Sequence, residues 1–354
     1  MSPPPQPSIL IIGSLNTDFV TYTPRCPLAG ETLTATSLTI SAGGKGANQA
    51  VACGRAAHTT PTTHSANVYM VGAVGANDPY YSALMRPLLE GSSVSVAGVT
   101  ERADASTGSA TIIVEEDSGE NRIAVVPGAN HVGMSSVEEV VQGVEGLVSN
   151  TGEKVEGKVV VLQGEIPRST VLGLLEHYNQ QDANAHVVFN PAPVFPEGIP
   201  LDALRGTSVL VMNETEAVLM AKALGLEQGA ATEEDPETLA GVLAPRFHQA
   251  ADVGIVLITL GAKGAFFSTR CGTSGCVAAE KVAKVVDTTA AGDTFVGYFT
   301  AAFARFVAQG RRLEEFDELV EGAVRLANRA AAGCVQRKGA MQSIPFAYEV
   351  DSDA

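Results

Sequence analysis

Short apolar runs recur along the chain at intervals that suit buried strands. The first covers residues 9–12 and ends at a Gly-Ser pair, and similar runs follow. They lie at residues 68–71, 159–162, 186–189, 209–212 and 255–258. These runs are nearly continuous rather than alternating, which is typical of parallel strands that are buried on both faces. Helical patterns lie between them, for example at 170–180 and 214–224. The repetition predicts an open, layered α/β sheet.

Two segments interrupt this repeat. Residues 31–41 are rich in threonine, and a change in the parity of their apolar positions predicts a bulge or a bend. Within residues 107–127, two apolar strands flank a turn at 117–119, which predicts a β-hairpin. Strands outside the α/β repeat can form a small sheet over the main one. We therefore expect a lid built from about 15–42 and 100–127.

The last third of the chain carries the clearest helical signals. A face of phenylalanines predicts one helix, and residues 319–332 predict a second, alanine-rich helix. The phenylalanines are Phe295, Phe299, Phe303 and Phe306. Residues 227–237 are acidic and predict a surface loop. Because the sequence has neither an internal repeat nor a linker, residues 1–354 are predicted to form one domain with its lid.

Composition and charge restrict the partners of the protein. Of 354 residues, 45% are hydrophobic and 18% are charged, which excludes a disordered chain or a coiled coil. The 23 Lys and Arg residues against 39 Asp and Glu give a net charge of −16. Nucleic acids and anionic membranes need a basic face, so neither is expected as a partner. An anionic substrate would need a local site of backbone amides and a few cations.

The cysteines indicate a reducing compartment. The chain has five, and they are scattered and odd in number. Cys271 and Cys276 have four residues between them and no second pair to complete a zinc site. The first residues lack the basic and apolar regions of a secretion signal, and no apolar run reaches the ~18 residues of a membrane span. We expect a cytoplasmic protein, with the nucleus left open as a second compartment.

The strongest chemical signal lies at residues 287–295, Asp-Thr-Thr-Ala-Ala-Gly-Asp-Thr-Phe, where the phenylalanine helix begins. The small residues Ala290, Ala291 and Gly292 allow backbone N–H groups to point outward at the helix N-terminus and form an anion site. Asp293 lies beside that site. Asp is also a favoured N-cap, so a purely structural role stays open at this point. A cap alone does not require three small residues before it.

A second glycine-rich turn, residues 43–50, also enters a predicted helix. Glycine lets a ligand approach the backbone closely, Lys45 supplies a cation, and Asn48 offers a donor and an acceptor to hydroxyl groups. Asn16 and Asp18 follow the first strand, at the edge where open α/β sheets bind ligands. Tight-turn packing remains the simpler alternative for each segment alone. No G-x-G-x-x-G follows the first strand, which argues against a dinucleotide-binding enzyme.

Together these segments resemble the ribokinase family of carbohydrate kinases over residues 9–345. The two signature blocks are 43–50 and 287–295. Further matches lie at 13–18, 27–31, 120–122, 127–130, 190–193, 213–216 and 337–340. The resemblance implies a ribokinase-like three-layer α/β/α fold with a mostly parallel central sheet and a small β-sheet lid. It also implies a homodimer that forms through the lid.

The resemblance also implies roles for individual residues. The sugar hydroxyls would be bound by Asn16, Asp18, Gly44, Lys45, Asn48 and Glu165. Asp293 would be the general base, and the amides of Ala290, Ala291 and Gly292 would form the anion hole for the phosphoryl group. ATP would contact Asn213, Thr259, Gly261, Gly264 and Asn328, and Glu216 would organise Mg²⁺. An activating K⁺ would lie at Asp287, Thr289, Cys334, Arg337, Gly339 and Ser343, mostly bound by carbonyl oxygens.

The activity implied by the resemblance is ATP-dependent phosphorylation of D-ribose at O5. Two alternatives stay open: a kinase for deoxyribose, fructose or adenosine, and a catalytically silent sugar-binding regulator on the same fold. Lys45 favours ribose over adenosine, and the presence of Asp293 with the complete anion loop argues against a silent regulator. Gly164 departs from the family pattern, in which a larger residue is usual, so the sugar pocket near Glu165 could be altered.

Overall fold

The computed structural model describes residues 6–118, 120–150, 158–227 and 235–351, and every element below lies in these ranges. The strands are β1 (Ser8–Ile12), β2 (Asn16–Thr23), β3 (Ser37–Gly43), β4 (His58–Thr60), β5 (Thr63–His64), β6 (Asn67–Gly75), β7 (Val94–Arg102), β8 (Gly108–Glu115), β9 (Asn121–Val126), β10 (Lys158–Leu162), β11 (Ala185–Phe189), β12 (Val209–Asn213), β13 (Ile255–Thr259), β14 (Ala265–Thr269) and β15 (Ser274–Val277). The α-helices are α1 (Lys45–Ala57), α2 (Arg86–Gly91), α3 (Ala129–Val132), α4 (Val137–Asn150), α5 (Arg168–Glu176), α6 (Leu201–Leu204), α7 (Glu214–Ala223), α8 (Pro236–Ala251), α9 (Ala291–Val307), α10 (Val320–Cys334) and α11 (Ala347–Asp351).

The main sheet of the described residues has nine strands, in the order β15-β14-β13-β12-β11-β10-β1-β6-β7. The strands from β13 to β7 in that order pair in parallel. By contrast, β14 and β15 add antiparallel strands at one edge. The six apolar runs coincide with β1, β6, β10, β11, β12 and β13, so the predicted mostly parallel sheet is confirmed.

Helices cover both faces of this sheet. Because side chains alternate along a strand, Ile9 and Ile11 of β1 belong to one core while Leu10 and Ile12 belong to the other. Helices α1, α9 and α10 contribute to the first core, and α5, α7 and α8 to the second. Each fully buried aliphatic side chain stabilises the fold by about 1.5–3 kcal/mol. The predicted three-layer arrangement is therefore confirmed.

Strand β1 lies where the strand order reverses, with β6 on one side and β10 on the other. In the pairing registers, Ile12 is level with both Val71 and Leu162. The segments that follow β1 and β10 therefore open at the same edge of the sheet. This reversal point is where open α/β sheets bind ligands.

A second sheet of four strands, β3-β2-β8-β9, forms the predicted lid. Strands β8 and β9 pair in antiparallel fashion, so the predicted hairpin is confirmed, although its turn residue 119 lies outside the described residues. Of the predicted bulge or bend in residues 31–41, the structure has the bend, at Thr36. Strand β3 begins at Ser37 and pairs with β2 without a register shift. The parity change therefore marks the start of a strand rather than a break within one.

The remaining predictions concern helices and loops. Helix α9 contains the phenylalanine face, and α10 covers the alanine-rich pattern, so both predicted helices are confirmed. The acidic segment 227–237 falls mostly on residues 228–234, which lie outside the described residues. In the part of the chain that the structure describes, no helix is long and apolar enough to cross a bilayer.

Candidate active site

The glycine-rich turn before α1 lies directly against the segment that follows β1. Gly44 has a φ of +90°, which favours glycine, and a Cβ there would lie 2.8 Å from the backbone nitrogen of Asn16. A Cβ on Gly43 would lie 2.0 Å from Oδ2 of Asp18. Side chains at these two positions would displace the residues after β1. Glycine therefore permits the close contact between this turn and the residues Asn16 and Asp18.

Asp293 lies in the first turn of α9 and lines the same cavity as Lys45. Its side chain is 7% exposed. Oδ2 of Asp293 accepts a hydrogen bond from Asn48 at 2.9 Å, and Oδ1 accepts one from Gln49 at 3.0 Å. The N-cap of α9 is Ala290, in the left-handed region at φ +61°, and it makes no side-chain cap bond. The alternative that Asp293 is only an N-cap is therefore wrong, because its carboxylate faces α1.

Charged groups crowd this space. Oε2 of Glu165, just after β10, accepts a hydrogen bond from the backbone N–H of Lys45 at 2.8 Å. Burial, followed by the negative charges of Glu165 and Asp293, together raise the pKa of Asp18 to about 7. Burial alone would lower the pKa of Lys45, but neighbouring carboxylates, Asp293 first, raise it above its ordinary value. The buried lysine therefore stays positively charged.

Asn213 and Glu216 form a capping box at the start of α7. Oδ1 of Asn213 accepts from the N–H of Glu216 at 2.8 Å, and Oε2 of Glu216 accepts from the N–H of Asn213 at 2.9 Å. Burial raises the pKa of Glu216 above its ordinary value. A cavity of about 220 Å³ separates these residues from Lys45 and Asp293, which line it as well. A phosphate chain in this cavity would lie beside Lys45 and beside the carboxylates of Glu216 and Asp293.

Glu216 fits a magnesium ion that arrives with phosphate. Mg²⁺ in nucleotide sites is usually bound by one or two carboxylates together with phosphate oxygens and water. Across the described ranges, no group of three or more His, Cys, Asp or Glu side chains lies close enough to form a protein cage for a metal. Glu216 and Asp293 both line the cavity, and a cation beside Glu216 would offset the negative charge that burial destabilises.

A larger cavity of about 460 Å³ adjoins the first and shares Thr259, Thr288 and Gly292 with it. Its walls also include Gly261, Gly264, Phe295 and Asn328. Four of the predicted ATP-contacting residues thus line one cavity, and the fifth, Asn213, lines its neighbour. Thr259 and Asn213 are level in the pairing of β12 with β13.

Local contacts fix the shape of this cavity. Gly264 has a φ of +104°, and a Cβ there would lie 2.0 Å from the carbonyl oxygen of Val277. Nδ2 of Asn328 donates to the same carbonyl oxygen at 2.9 Å. The glycine therefore lets the turn after β13 approach β15, and Asn328 ties α10 to that strand.

The positions proposed for a monovalent cation lie in two loops that are bonded to each other. Oδ2 of Asp287 accepts from the N–H of Gly339 at 3.0 Å, and Oδ1 accepts from the N–H of Thr289 at 2.9 Å. Sγ of Cys334 lies 3.0 Å from Oγ of Ser343 and 3.6 Å from the carbonyl oxygen of Thr289. Burial tends to raise the pKa of Asp287, but these hydrogen bonds outweigh it and lower the pKa below its ordinary value.

Arg337 forms a backbone turn directly after α10. Its N–H donates to the carbonyl oxygen of Cys334 at 3.0 Å, whereas its side chain pairs with Glu349 at 3.1 Å. The donor chemistry of the two loops, one ionised carboxylate, one hydroxyl and backbone carbonyls, fits a weakly hydrated monovalent cation.

A set of side-chain amides that hydrogen-bond to the predicted residues Asn16 and Asp293 was not predicted from the sequence. Asn130 donates to Oδ1 of Asn16 at 2.7 Å, and Gln49, Gln163 and Asn190 form a chain that reaches Asp293. The sequence offered a signal for three of them: Gln49 directly follows Asn48, and Asn130 and Asn190 lie in the matching segments 127–130 and 190–193.

The unusual Gly164 has a local explanation. A Cβ at this position would lie 2.2 Å from the carbonyl oxygen of Pro193. A larger residue would push the segment after β10 away from the loop after β11. Glycine therefore suits this backbone, and the adjacent Glu165 still bonds to Lys45.

Residues 6–347 match the profile of the pfkB family carbohydrate kinases. The chain belongs to this family. The match covers almost the whole sequence, so the predicted resemblance to ribokinase-type carbohydrate kinases, the fold class and the kinase class are confirmed.

Individual family members agree in sequence and in fold. A ribokinase of Schizosaccharomyces pombe is 37% identical over 347 residues, which cover 97% of this chain and 96% of that protein. The solved structure of ribokinase from Giardia lamblia has a TM-score of 0.81 at 28% identity, covering 99% of this chain and 98% of that one. Ribokinase from Arabidopsis thaliana, solved with ribose and ATP, has a TM-score of 0.75 at 28% identity and 98% coverage of both chains.

Proposed function

We propose that this carbohydrate kinase transfers the γ-phosphoryl group of ATP to O5 of D-ribose, giving D-ribose 5-phosphate and ADP. The observation that carries the proposal is the 2.9 Å hydrogen bond between Asn48 and Asp293, which joins the two signature segments across 245 positions of sequence. It places a carboxylate beside Lys45 and Asn48, the residues proposed to bind the sugar. Similarity to ribokinases, one of them solved with ribose and ATP, supports the choice of substrates.

The sugar would lie beside the turn before α1 and the segment after β1, on the side of both that faces Asp293. Asp18 and Glu165 offer carboxylate acceptors to its hydroxyl groups, and Lys45 offers a cationic donor. Oδ1 of Asn48 is buried and has no hydrogen-bond partner among the described residues. Because buried polar atoms are nearly always bonded in native proteins, this oxygen fits the hydroxyl group of a ligand. Asn16, oriented by Asn130, would complete the set together with the backbone of Gly44.

Asp293 would act as the general base. Its carboxylate accepts the O5 proton while the new bond between O5 and the γ-phosphorus forms and the bond from that phosphorus to the leaving oxygen of ADP breaks. The amides of Ala290, Ala291 and Gly292 would stabilise the charge on the transferred group. The N–H of Ala291 contacts the carbonyl oxygen of Thr288 at a long 3.3 Å, so a stronger acceptor can replace that contact.

The two adjoining cavities would hold ATP. The nucleoside fits the larger cavity beside Gly261, Gly264 and Asn328, and the phosphates fit the smaller one between Lys45 and Glu216. When bound, Mg²⁺ supplies positive charge that neutralises the phosphates. Glu216 would orient the ion through its carboxylate and through bound water. The Asp287 loops would bind K⁺, and their proximity to Ala290 would connect that ion to the anion hole.

A panel of acceptors tests the proposed substrate. ADP release is measured with ribose, deoxyribose, fructose and adenosine, each with and without K⁺. We expect the highest kcat/KM with ribose and a marked stimulation by K⁺. Equal kcat/KM for adenosine and ribose would refute the substrate assignment. Rates that are the same with and without K⁺ would refute the cation site.

Substitution of Asp293 by asparagine tests the base. This change keeps the side-chain volume, and the one remaining oxygen can still accept from Gln49 while the bond from Asn48 is lost, so the variant should fold and bind ribose. Turnover should fall by about 10²–10⁴-fold, the usual contribution of a positioned base. Calorimetry with ribose separates lost binding from lost chemistry. Near wild-type turnover would contradict the assignment.

We propose in addition that two copies associate through the lid. Three apolar residues of β9, Ile123, Val125 and Val126, are each more than half exposed, as is Leu38 of β3. Exposed apolar surface of this kind is typical of an interaction site. Light scattering should give a dimer for the wild-type chain and a monomer for Ile123→Lys. A monomeric wild-type chain would refute this proposal.

The cytoplasm is the location that we propose, with the nucleus left open. All five cysteines are free, which suits a reducing compartment. Imaging of a fluorescent fusion in its native cell would test this, and an extracellular signal would contradict it.

A further inference from the structure

Gln49 forms a buried link between α1 and the carboxylate of Asp293. The side chain of Gln49 is fully buried. Nε2 of Gln49 donates to Oδ1 of Asp293 at 3.0 Å and to Oδ1 of Asn190 at 3.0 Å. A side-chain amide has two N–H groups, so these two bonds use its full donor capacity.

Hydrogen bonds to Gln163 and Asn190 fix the orientation of the Gln49 amide. Nε2 of Gln163, which directly follows β10, donates to Oε1 of Gln49 at 2.9 Å. Nδ2 of Asn190, after β11, donates to the carbonyl oxygen of Val211 at 2.9 Å, so Oδ1 of Asn190 faces Gln49. A flipped Gln49 would place its oxygen against the oxygens of Asp293 and Asn190. The network therefore requires that an N–H group of Gln49 point at the base.

We propose that Gln49 is a positioning residue, which holds the Asp293 carboxylate in the orientation that receives the substrate proton. The inference rests on the proposed function, because it assumes that Asp293 is the base. Each oxygen of this carboxylate accepts one amide hydrogen, from Asn48 on one side and Gln49 on the other. Both oxygens keep a further lone pair for other donors. Gln163 acts through Gln49 and touches neither Asp293 nor the cavity beside it.

Other ionisable groups face Asp293 from four elements. They are Asp18 of β2, Lys45 of α1, Glu216 of α7 and Cys334 of α10. All four remain when Gln49 is replaced. At saturating sugar, Asp18 is already bonded to hydroxyl groups, so its titration does not dominate kcat. A displaced pH profile of kcat therefore reports the loss of the Gln49 donor.

The test replaces Gln49 with methionine, which has a similar length and no donor. Loss of a hydrogen bond to a charged group should lower kcat by about 10–100-fold. The acidic limb of the kcat profile should move about one pH unit higher, because an ionised carboxylate with one donor fewer is protonated more readily. KM for ribose should change much less than kcat. The control is Thr300→Val in α9, the helix of Asp293, which removes a buried hydroxyl that has no partner among the described residues and should leave the profile unchanged.

A second variant, Gln163→Leu, keeps Gln49 and removes only the bond that orients it. Oε1 of Gln163 is buried and unpaired among the described residues, so the change also removes an unsatisfied atom and the variant should fold. We expect the same shift of the acidic limb, with a smaller fall in kcat.

Asp293→Asn, measured in parallel, separates the two proposals. If that variant is inactive and both glutamine variants keep the wild-type acidic limb, the role of Gln49 is refuted and the base assignment stands. If Asp293→Asn is active, the proposed function itself is refuted. A glutamine variant that only lowers the melting temperature, with the pH profile in place, indicates a structural role and also overturns the inference.

Discussion

Lowering the pH from 8 to 6 should weaken sugar binding, because the structure places Asp18 in surroundings that oppose its charge. Burial, then Glu165 and Asp293, raise the pKa of Asp18 from its ordinary 3.8 to about 7. Sugar hydroxyl groups donate to the ionised form and therefore favour it. Below pH 7, most of the sugar-free protein carries a protonated Asp18 and must release that proton to bind.

The expected loss of sugar affinity follows from the fraction of the protein in which Asp18 is ionised. With a pKa of about 7, the ionised fraction falls about tenfold between pH 8 and pH 6, and the apparent affinity falls by the same factor. The same shift predicts an effect on stability. The pKa of Asp18 is higher in the folded protein than in the unfolded chain, so its charge destabilises the sugar-free fold at high pH. This cost shrinks as the pH falls through 7 toward 3.8.

Calorimetry with ribose between pH 5.5 and 8.5 tests the first effect, and urea unfolding of the sugar-free protein tests the second. Asp18→Asn should bind ribose weakly with little dependence on pH. At pH 8 it should raise the free energy of unfolding by at most about 4 kcal/mol, from roughly three pKa units, and by less at pH 5. Asp202→Asn, on an exposed side chain, is the control. A ribose affinity that is constant from pH 6 to 8 in the wild-type protein would refute the reasoning.

Three further changes test other parts of the site. Glu216→Gln should raise the Mg²⁺ concentration for half-maximal activity by about 10–100-fold, since a ligand-orienting carboxylate is lost, and a metal titration with unchanged midpoint would contradict its role. Gly44→Ala should lower the free energy of unfolding by about 2–4 kcal/mol, measured with urea, because its φ is +90° and the new Cβ would lie 2.8 Å from the nitrogen of Asn16; wild-type stability would argue against this backbone geometry. Asp287→Asn should raise the K⁺ concentration for half-maximal activity, because the ionised carboxylate between Thr289 and Gly339 is lost; an unchanged KCl titration would place the ion elsewhere.

The sequence pattern predicted the buried strands well because parallel strands with helices on both faces must be apolar throughout. It did not resolve β7 and β15, the two edge strands, which are mostly half-buried or exposed, or β14, which is buried but has only three apolar residues before Ser268 and Thr269. The lid strand β2 was predicted only as part of a segment. Its residues show no regular apolar alternation and are mostly half-buried, so pairing with β3 and β8 defines the strand more than its own apolar pattern does.

In the candidate site too, some features could be predicted from the sequence and others could not. Its glycine turns are visible in the sequence because a positive φ or a close backbone approach restricts the residue type, as at Gly44. The contact between Gln49 and Asp293 spans 244 positions, and that between Gln163 and Gln49 spans 114. A buried glutamine can bond to many partners. Only the packing of α1 against α9 and the end of β10 selects these two.

The distribution of charge explains how a chain with net charge −16 can accept an anionic substrate. Around Lys45 the fold gathers carboxylates whose mutual repulsion is visible in the raised pKa of Asp18, where burial is the first cause and Glu165 and Asp293 follow. Ligands that bring donors or positive charge would relieve this repulsion, as sugar hydroxyl groups would at Asp18 and a metal ion would at Glu216 under the proposed function. Free ATP would instead add to it. On the proposed function we therefore expect the sugar to bind alone, and the nucleotide to need its accompanying cation, the amides at the start of α9 and Lys45 together.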